Sequence, residues 1–244
     1  MRCLAYLEDS DYKEALGQAA DYLQIKIVQS RPKETSFISY NSKGLYFVDD
    51  SNKTSKSLYI DFLSGSLGWR LKRVEHEKLL KKTLGKTKSI FNIFDATAGF
   101  LSDSLIFLSL GHKVIACEQS KLLYILVKDA CQRAKSELPF LENLTFLQGD
   151  SLDIYKDIKD IDVIYLDPMY PVLKKNSLRA GNLNLIRNIL DIEDISDSQD
   201  SVALEFLKSE YKKIILKRPI KAQKICSNIN YQIKGKSTRF DVYI

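Results

Sequence analysis

The chain has 244 residues, 45% of them hydrophobic, and carries a net charge of +6. That length and apolar content bury a full core, as one large domain or one domain with a small appendage, and the basic balance permits a polyanionic partner without demonstrating one. The N-terminus reaches Glu8 and Asp9 too early for a signal-peptide core, and no apolar run approaches the ~20 residues that cross a bilayer. Cys3, Cys117, Cys131 and Cys226 are scattered without a Cys-x-x-Cys pair, which argues against a zinc site or disulfide framework and suits a reducing cytoplasm.

Residues 1 to 88 read as a small α/β region. The pattern predicts a helix at Tyr12–Leu23 and strands at Phe37–Tyr40, Leu45–Val48 and Leu58–Leu63, with a hairpin turn at Asn41–Gly44. Ser64–Gly68 reads as a loop and Trp69–Leu84 as one basic helix. A boundary is expected near Lys86–Ser89, dividing the chain into 1–88 and 89–244.

From Ile90 the texture alternates. Strands are predicted at Ile90–Phe94, Lys113–Cys117, Leu144–Leu147, Val163–Leu166 and Lys213–Lys217. Helices are predicted at Asp103–Leu110, Leu122–Lys135, Leu183–Leu190 and Ser201–Glu210. Tyr231–Lys234 and Arg239–Ile244 close the sheet as an antiparallel pair. Strands alternating with helices imply a mostly parallel sheet covered on both faces.

In open α/β sheets ligands sit beyond the carboxyl ends of the strands. This chain places Asp95-Ala96-Thr97-Ala98-Gly99 after the first of these strands and Glu118 after the second, nineteen residues beyond Gly99. That spacing is where an acid holds ribose hydroxyls. Gln148-Gly149-Asp150-Ser151 follows the third strand, at a position to meet an adenine edge. Each acid alone is also ordinary cap or turn chemistry; the series at successive strand ends points to a nucleoside site. The first loop has one glycine, Gly99, with Asp103 beyond it. A carboxylate there repels a pyrophosphate and suits a ligand with an amino group and a sulfonium, as in S-adenosylmethionine.

The fourth strand ends in Asp167-Pro168-Met169-Tyr170-Pro171. An exocyclic base amine is a poor nucleophile because its lone pair is delocalised. The Asp167 carboxylate and the Pro168 carbonyl are candidates to accept its two N–H bonds, and Tyr170 to stack on the base. The pattern therefore reads as a methyltransferase acting on a nucleobase amine.

Asp95–Gly99, Asp103, Glu118-Gln119, Tyr165–Pro171 (YLDPMYP), Lys217-Arg218-Pro219 and Arg239–Tyr243 (RFDVY) together resemble the bacterial ribosomal small-subunit methyltransferase J family. The resemblance covers roughly Ser57 to Ile244. It implies a Rossmann-like class I methyltransferase sheet of seven strands, the last pair antiparallel, with a small N-terminal α/β appendage. It also implies a cytoplasmic enzyme that methylates guanine N2 in 16S ribosomal RNA, or in the 30S subunit, with S-adenosylmethionine. By position, the family's cofactor contacts fall on Ser102, Asp103, Glu118, Gln119, Asp150, Ser151 and Asp167; the residue reading adds Asp95 and Gly99. Asp167, Pro168 and Tyr170 form the expected catalytic set. The chain departs from the family's Gly-Leu-Gly-Arg-Asp at Gly99-Phe100-Leu101-Ser102-Asp103, from its Glu-Arg at Glu118-Gln119, and from its glycine-rich stretch at Lys72–His76. A methyltransferase for adenine N6 or a DNA base, and a non-catalytic RNA-binding protein on a degenerate domain, stay open as alternatives.

Three basic clusters are candidates for phosphate contact: Arg70, Lys72, Arg73, Lys78, Lys81 and Lys82; Lys174, Lys175, Arg179 and Arg187; and Lys212, Lys213, Lys217, Arg218, Lys221 and Lys224. The acids Asp191, Glu193, Asp194, Asp197 and Asp200 are expected to face away from RNA. His76 and His112 have no partner at metal-ligand spacing, so no metal is expected. Trp69 is expected in the core.

Overall fold

The computed structural model describes residues 3–50, 56–85, 89–168, 181–195 and 199–244. The elements run β1 (Leu4–Tyr6), α1 (Lys13–Leu23), β2 (Ile27–Val28), β3 (Phe37–Asn41), β4 (Gly44–Asp49), β5 (Lys56–Tyr59), α2 (Gly65–Leu71), α3 (Lys78–Leu84), β6 (Asn92–Asp95), α4 (Ser104–Ser109), β7 (Lys113–Glu118), α5 (Lys121–Ala134), β8 (Leu144–Gln148), α6 (Ser151–Asp157), β9 (Val163–Leu166), α7 (Gly181–Ile192), α8 (Gln199–Lys208), β10 (Ile214–Pro219), β11 (Tyr231–Lys234) and β12 (Thr238–Tyr243). They fall into two units. The first comprises Met1–Phe62, Ser120–Ser136 and Val172–Ser196; the second comprises Leu63–Gln119, Glu137–Pro171 and Asp197–Ile244.

The first unit holds a five-stranded sheet in the order β2-β1-β3-β4-β5. β3 and β4 form the expected hairpin, with Asn41 paired to Gly44. Gly44 has φ +116°, and a Cβ there would lie 2.6 Å from Asp129 Oδ2 on α5, so the turn requires glycine for both reasons. Asp129 accepts hydrogen bonds from the Tyr40 hydroxyl at 2.6 Å, the Leu45 amide at 3.2 Å and Arg133 Nε at 2.7 Å. The Glu193 carboxylate accepts from the Ser120 hydroxyl and, at 3.2 Å, from the Leu122 amide, occupying an orphan donor at the start of α5. β1 and β2 escape sequence reading because three and two residues carry too little periodicity.

The second unit holds the expected seven-stranded sheet, in the order β11-β12-β10-β9-β6-β7-β8. β9, β6, β7 and β8 run parallel, as do β9 and β10, while β12 lies antiparallel between β10 and β11. β9 (Val-Ile-Tyr-Leu) is buried along its whole length, as a central parallel strand must be. Phe94, Ile164, Leu166, Phe206, Ile214 and Leu216 anchor its core. The chain passes from β6 to β7 and β8 on one side and returns to β9 and β10 on the other. The carboxyl end of β6 is therefore the switch point where such sheets open a crevice.

Two expectations on the second unit need correction. Trp69–Leu84 is not one helix but α2, a 3₁₀ turn at Val74–His76, and α3. No proline or glycine marks the break. Arg73 (ψ 37°) and Glu77 (ψ 52°) leave the helical region, and Arg70 grips Glu77 across the bend at 2.7 and 3.0 Å. Trp69 is not core: it is 58% exposed. α6 was unmarked in the sequence; Asp150 caps it by accepting from the Leu152 and Asp153 amides.

Candidate cofactor and acceptor site

Every described residue of the expected site lies in the second unit, at the carboxyl ends of β6, β7, β8 and β9. The loop after β6 turns on two left-handed residues, Gly99 (φ 50°) and Leu101 (φ 57°). Gly99 donates its amide to Glu118 Oε2 at 3.0 Å, and a Cβ on Gly99 would meet nothing nearer than the Thr97 carbonyl at 4.0 Å. The glycine thus presents bare backbone beside a carboxylate. Leu101 occupies the place of the family's second glycine. It keeps the turn's left-handed conformation at a cost of roughly 1–2 kcal/mol, and its side chain, 0% exposed, is anchored in the core.

Asp95 is engaged within its own loop. Its carboxylate accepts from the Thr97 amide at 3.1 Å and from the Ser104 hydroxyl, closing the loop from within. Burial pushes its carboxyl up to about 7, against the pull of those two hydrogen bonds. Glu118 ends β7 and is buried. The Gln119 carbonyl accepts from the Gln148 side chain at 2.9 Å, and the Glu118 carbonyl accepts from the Gly149 amide at 3.0 Å, so the ends of β7 and β8 are tied together. Ser151 is buried while Asp150, exposed, is the α6 cap. Ser102 is half-buried in the loop after β6, next to Asp103.

The acceptor side is an ionic cluster. Asp103, 7% exposed, accepts from Lys217 Nζ at 2.7 Å, the Tyr165 hydroxyl at 2.6 Å and Arg70 Nη2 at 2.9 Å. Burial disfavours its anion, but Lys217 and Arg70 outweigh that and hold the carboxyl down at about 2. Burial and the Asp103 charge push the Tyr165 phenol well above its ordinary value. Lys217 Nζ also donates to Asp167 Oδ2 at 2.7 Å. Desolvation and the neighbouring Asp103 charge raise the Asp167 carboxyl against the pull of Lys217. The Asp167 amide donates to Thr97 Oγ1 at 2.7 Å, so the residue is held from both sides while its side chain stays 37% exposed. Pro168 is buried behind it. Tyr170, with Lys174, Lys175 and Arg179, lies outside the described residues.

The structure thus brings Asp103 and Asp167 onto one ammonium and sets Glu118 against Gly99, while Asp95 and Asp150 are engaged within their own turns. Lys217 and Arg218 were expected to meet phosphates. Instead Lys217 points into the cluster, and Arg218 is buried on Asp200 Oδ1 at 2.5 Å and the Gln223 carbonyl at 3.0 Å. Arg70 likewise turns inward. The missed signal is a lysine directly following the buried run Ile214-Ile215-Leu216, because a charge leaving a buried strand must find a partner. Tyr165, inside a buried apolar run, carried no such signal.

The donor set fits S-adenosylmethionine. An open glycine turn with a carboxylate fixed against it, and a second carboxylate cluster nearby, suit a nucleoside bearing cationic groups. Both the amide of Gly99 and the charges of Lys217 and Arg70 already have carboxylate partners, so none of these three offers the bare anion cradle that a pyrophosphate needs. Among the described residues no group of His, Cys, Asp or Glu is arranged to hold a metal ion, and no helix is long and apolar enough to cross a membrane.

Comparisons with known proteins show the family. Residues 18–244 match the family model described as "Putative SAM-dependent methyltransferase". The ribosomal RNA small subunit methyltransferase J of Bdellovibrio bacteriovorus is 30% identical over 233 residues, covering 92% of this chain and 88% of that protein. The protein of the same name from Buchnera aphidicola is 34% identical over 212 residues, covering 84% of each. A crystal structure of a SAM-dependent methyltransferase from Neisseria gonorrhoeae, 24% identical, superposes with a TM-score of 0.71 over 98% of this chain and 95% of its own, and shows the same fold. The chain therefore belongs to the S-adenosylmethionine-dependent methyltransferase family that includes ribosomal RNA small subunit methyltransferase J.

Proposed function

We propose that the protein methylates the exocyclic N2 amine of a guanine in 16S ribosomal RNA, free or within the 30S subunit, in the cytoplasm. The relatives' printed names support the ribosomal RNA substrate, and the acceptor geometry supports an amine. The carrying observation is Asp167. It ends a central strand, is fixed by Thr97 and Lys217, and still leaves its carboxylate partly exposed.

S-adenosylmethionine, when bound, supplies an electrophilic methyl group on a sulfonium. The Gly99 turn with Ser102, Asp103, Glu118, Gln119, Asp150 and Ser151 would hold it. Asp167 accepts one N–H of the target amine and the Pro168 carbonyl the other. Held so, the nitrogen lone pair would be free to attack, and the carboxylate would stabilise the positive charge that grows on nitrogen and take up the proton that the amine then loses. Asp167 must be ionised to do so, and the Lys217 ammonium favours that form. Tyr170, two residues beyond Pro168, stacks on the base. The region of residues 1–88 helps hold the RNA.

The test is incubation with methyl-labelled cofactor and either 30S subunits or naked 16S RNA from cells lacking the enzyme, followed by mass-spectrometric mapping. A labelled N2-methylguanine is expected. A label on adenine N6, or transfer only to DNA, overturns the substrate assignment, and no transfer to any nucleic acid overturns the enzymatic reading.

A further inference from the structure

We propose that the exposed face of α2 and the turn after it, built around Trp69 and Arg73, is a docking platform for single-stranded RNA: an unpaired base stacks on the Trp69 ring and neighbouring cations hold the flanking phosphates. The proposal deepens, and rests on, the ribosomal RNA reading above.

Trp69 is 58% exposed, an unusual place for the largest apolar side chain. The Arg73 guanidinium carbon lies 4.8 Å from its ring centroid, so one ring face carries a cation, and the exposure leaves room for a second flat group. The composition around it is polyanion-seeking: from Trp69 to Lys82 Lys and Arg outnumber acids six to two. Of those two acids, Glu77 is gripped by Arg70, and Glu75 lies 3.1 Å from His76. Lys72, Arg73, Lys78 and Lys82 are exposed. Aromatic rings among solvated cations are what single-stranded nucleic acid binds, because every base has a π-face and every linkage a charge.

The platform is also held in place. Arg70, next to Trp69 on α2, reaches inward to Asp103 at 2.9 Å and to Glu77 at 2.7 Å. The helix displaying the tryptophan is therefore pinned to the same carboxylate that Lys217 bridges to Asp167. A base caught on Trp69 lies one residue along the chain from the guanidinium that holds Asp103.

Trp69 is the chain's single tryptophan, so its emission reports on this ring alone. The full-length protein is titrated with a single-stranded RNA oligonucleotide of about twelve nucleotides, within the usual site size for such grooves. Quenching of Trp69 emission is expected. Trp69→Ala should weaken RNA binding about tenfold, with Trp69→Phe retaining most of it, and leave calorimetric affinity for S-adenosylmethionine unchanged. Lys78→Ala and Arg73→Ala should each lower the salt dependence of RNA binding by about 0.7 in log-log slope. RNA binding without quenching, with Trp69→Ala at wild-type affinity, overturns the platform; so does a chain that binds no RNA. Methyl transfer to 16S RNA by the wild type is scored separately: its absence, with quenching intact, removes the substrate reading and leaves the platform standing.

Discussion

Each unit of the molecule contains one carboxylate held by a cation and a tyrosine, and the two clusters differ in what they leave open. In the first unit Asp129 takes Tyr40, the Leu45 amide and Arg133, all within that unit, and the result fastens helix to hairpin. In the second unit Asp103 takes Tyr165, Arg70 and Lys217, but Lys217 extends the cluster to a second carboxylate, Asp167, which is 37% exposed. A carboxylate saturated by donors is a fastening. Two carboxylates on one ammonium, with one of them reaching solvent, leave an oxygen open to a ligand. Saturation of hydrogen-bonding capacity, rather than burial or ion pairing, separates the two.

The comparison breaks most sharply at Asp167. Asp167→Ala should reduce methyl transfer at least ~10³-fold, about 4 kcal/mol of transition-state stabilisation, while calorimetric binding of S-adenosylmethionine stays within a few-fold. Transfer at the wild-type rate would make Asp167 another fastening. In the first unit, Asp129→Ala should cost about 2–3 kcal/mol in urea unfolding, because it takes the acceptor from the Tyr40 hydroxyl, the Leu45 amide and Arg133 Nε, with cofactor affinity unchanged. An unchanged urea midpoint would remove the structural role.

Lys217→Met sharpens the contrast through pH. Burial and Asp103 already raise the Asp167 carboxyl, and Lys217 opposes them. As an anion acceptor, Asp167 works above its pKa and fails as pH falls through it. Without the ammonium that pKa rises further, so the acidic limb of kcat/KM should move to higher pH, with a loss of about 10- to 100-fold near neutrality. Lys217→Arg should restore much of it. A uniform loss with the limb unmoved would mean that Lys217 only supports the fold.

The smallest effect concerns the loop between β6 and α4. Replacing Leu101 removes a fully buried side chain, worth about 2–5 kcal/mol in an alanine variant. Its φ of 57° reverses the usual order of the small residues. Leu101→Gly should be more stable than Leu101→Ala by about 1 kcal/mol in thermal or urea unfolding, because glycine alone takes that conformation without strain. An alanine variant as stable as the glycine one would show that the loop relaxes.

The sequence by itself determined the seven-stranded sheet and the order of its strand ends. A run such as Val163–Leu166 is apolar throughout because a central parallel strand is buried on both faces, and DATAG and YLDPMYP stand where such strands must stop. It also placed Asp167 and Glu118, since each follows directly from where a strand ends. Tertiary structure decided which charges face each other. Lys217 and Arg70 look in sequence like other members of basic clusters, and only the fold turns them onto Asp103, 114 and 33 residues away. The same holds for Trp69, whose apolar ring reads as core until α2 is set with that face outward. The physical reason is range: strand and turn preferences act between neighbours in the chain, whereas ion pairing and exposure are settled between residues that only folding brings together.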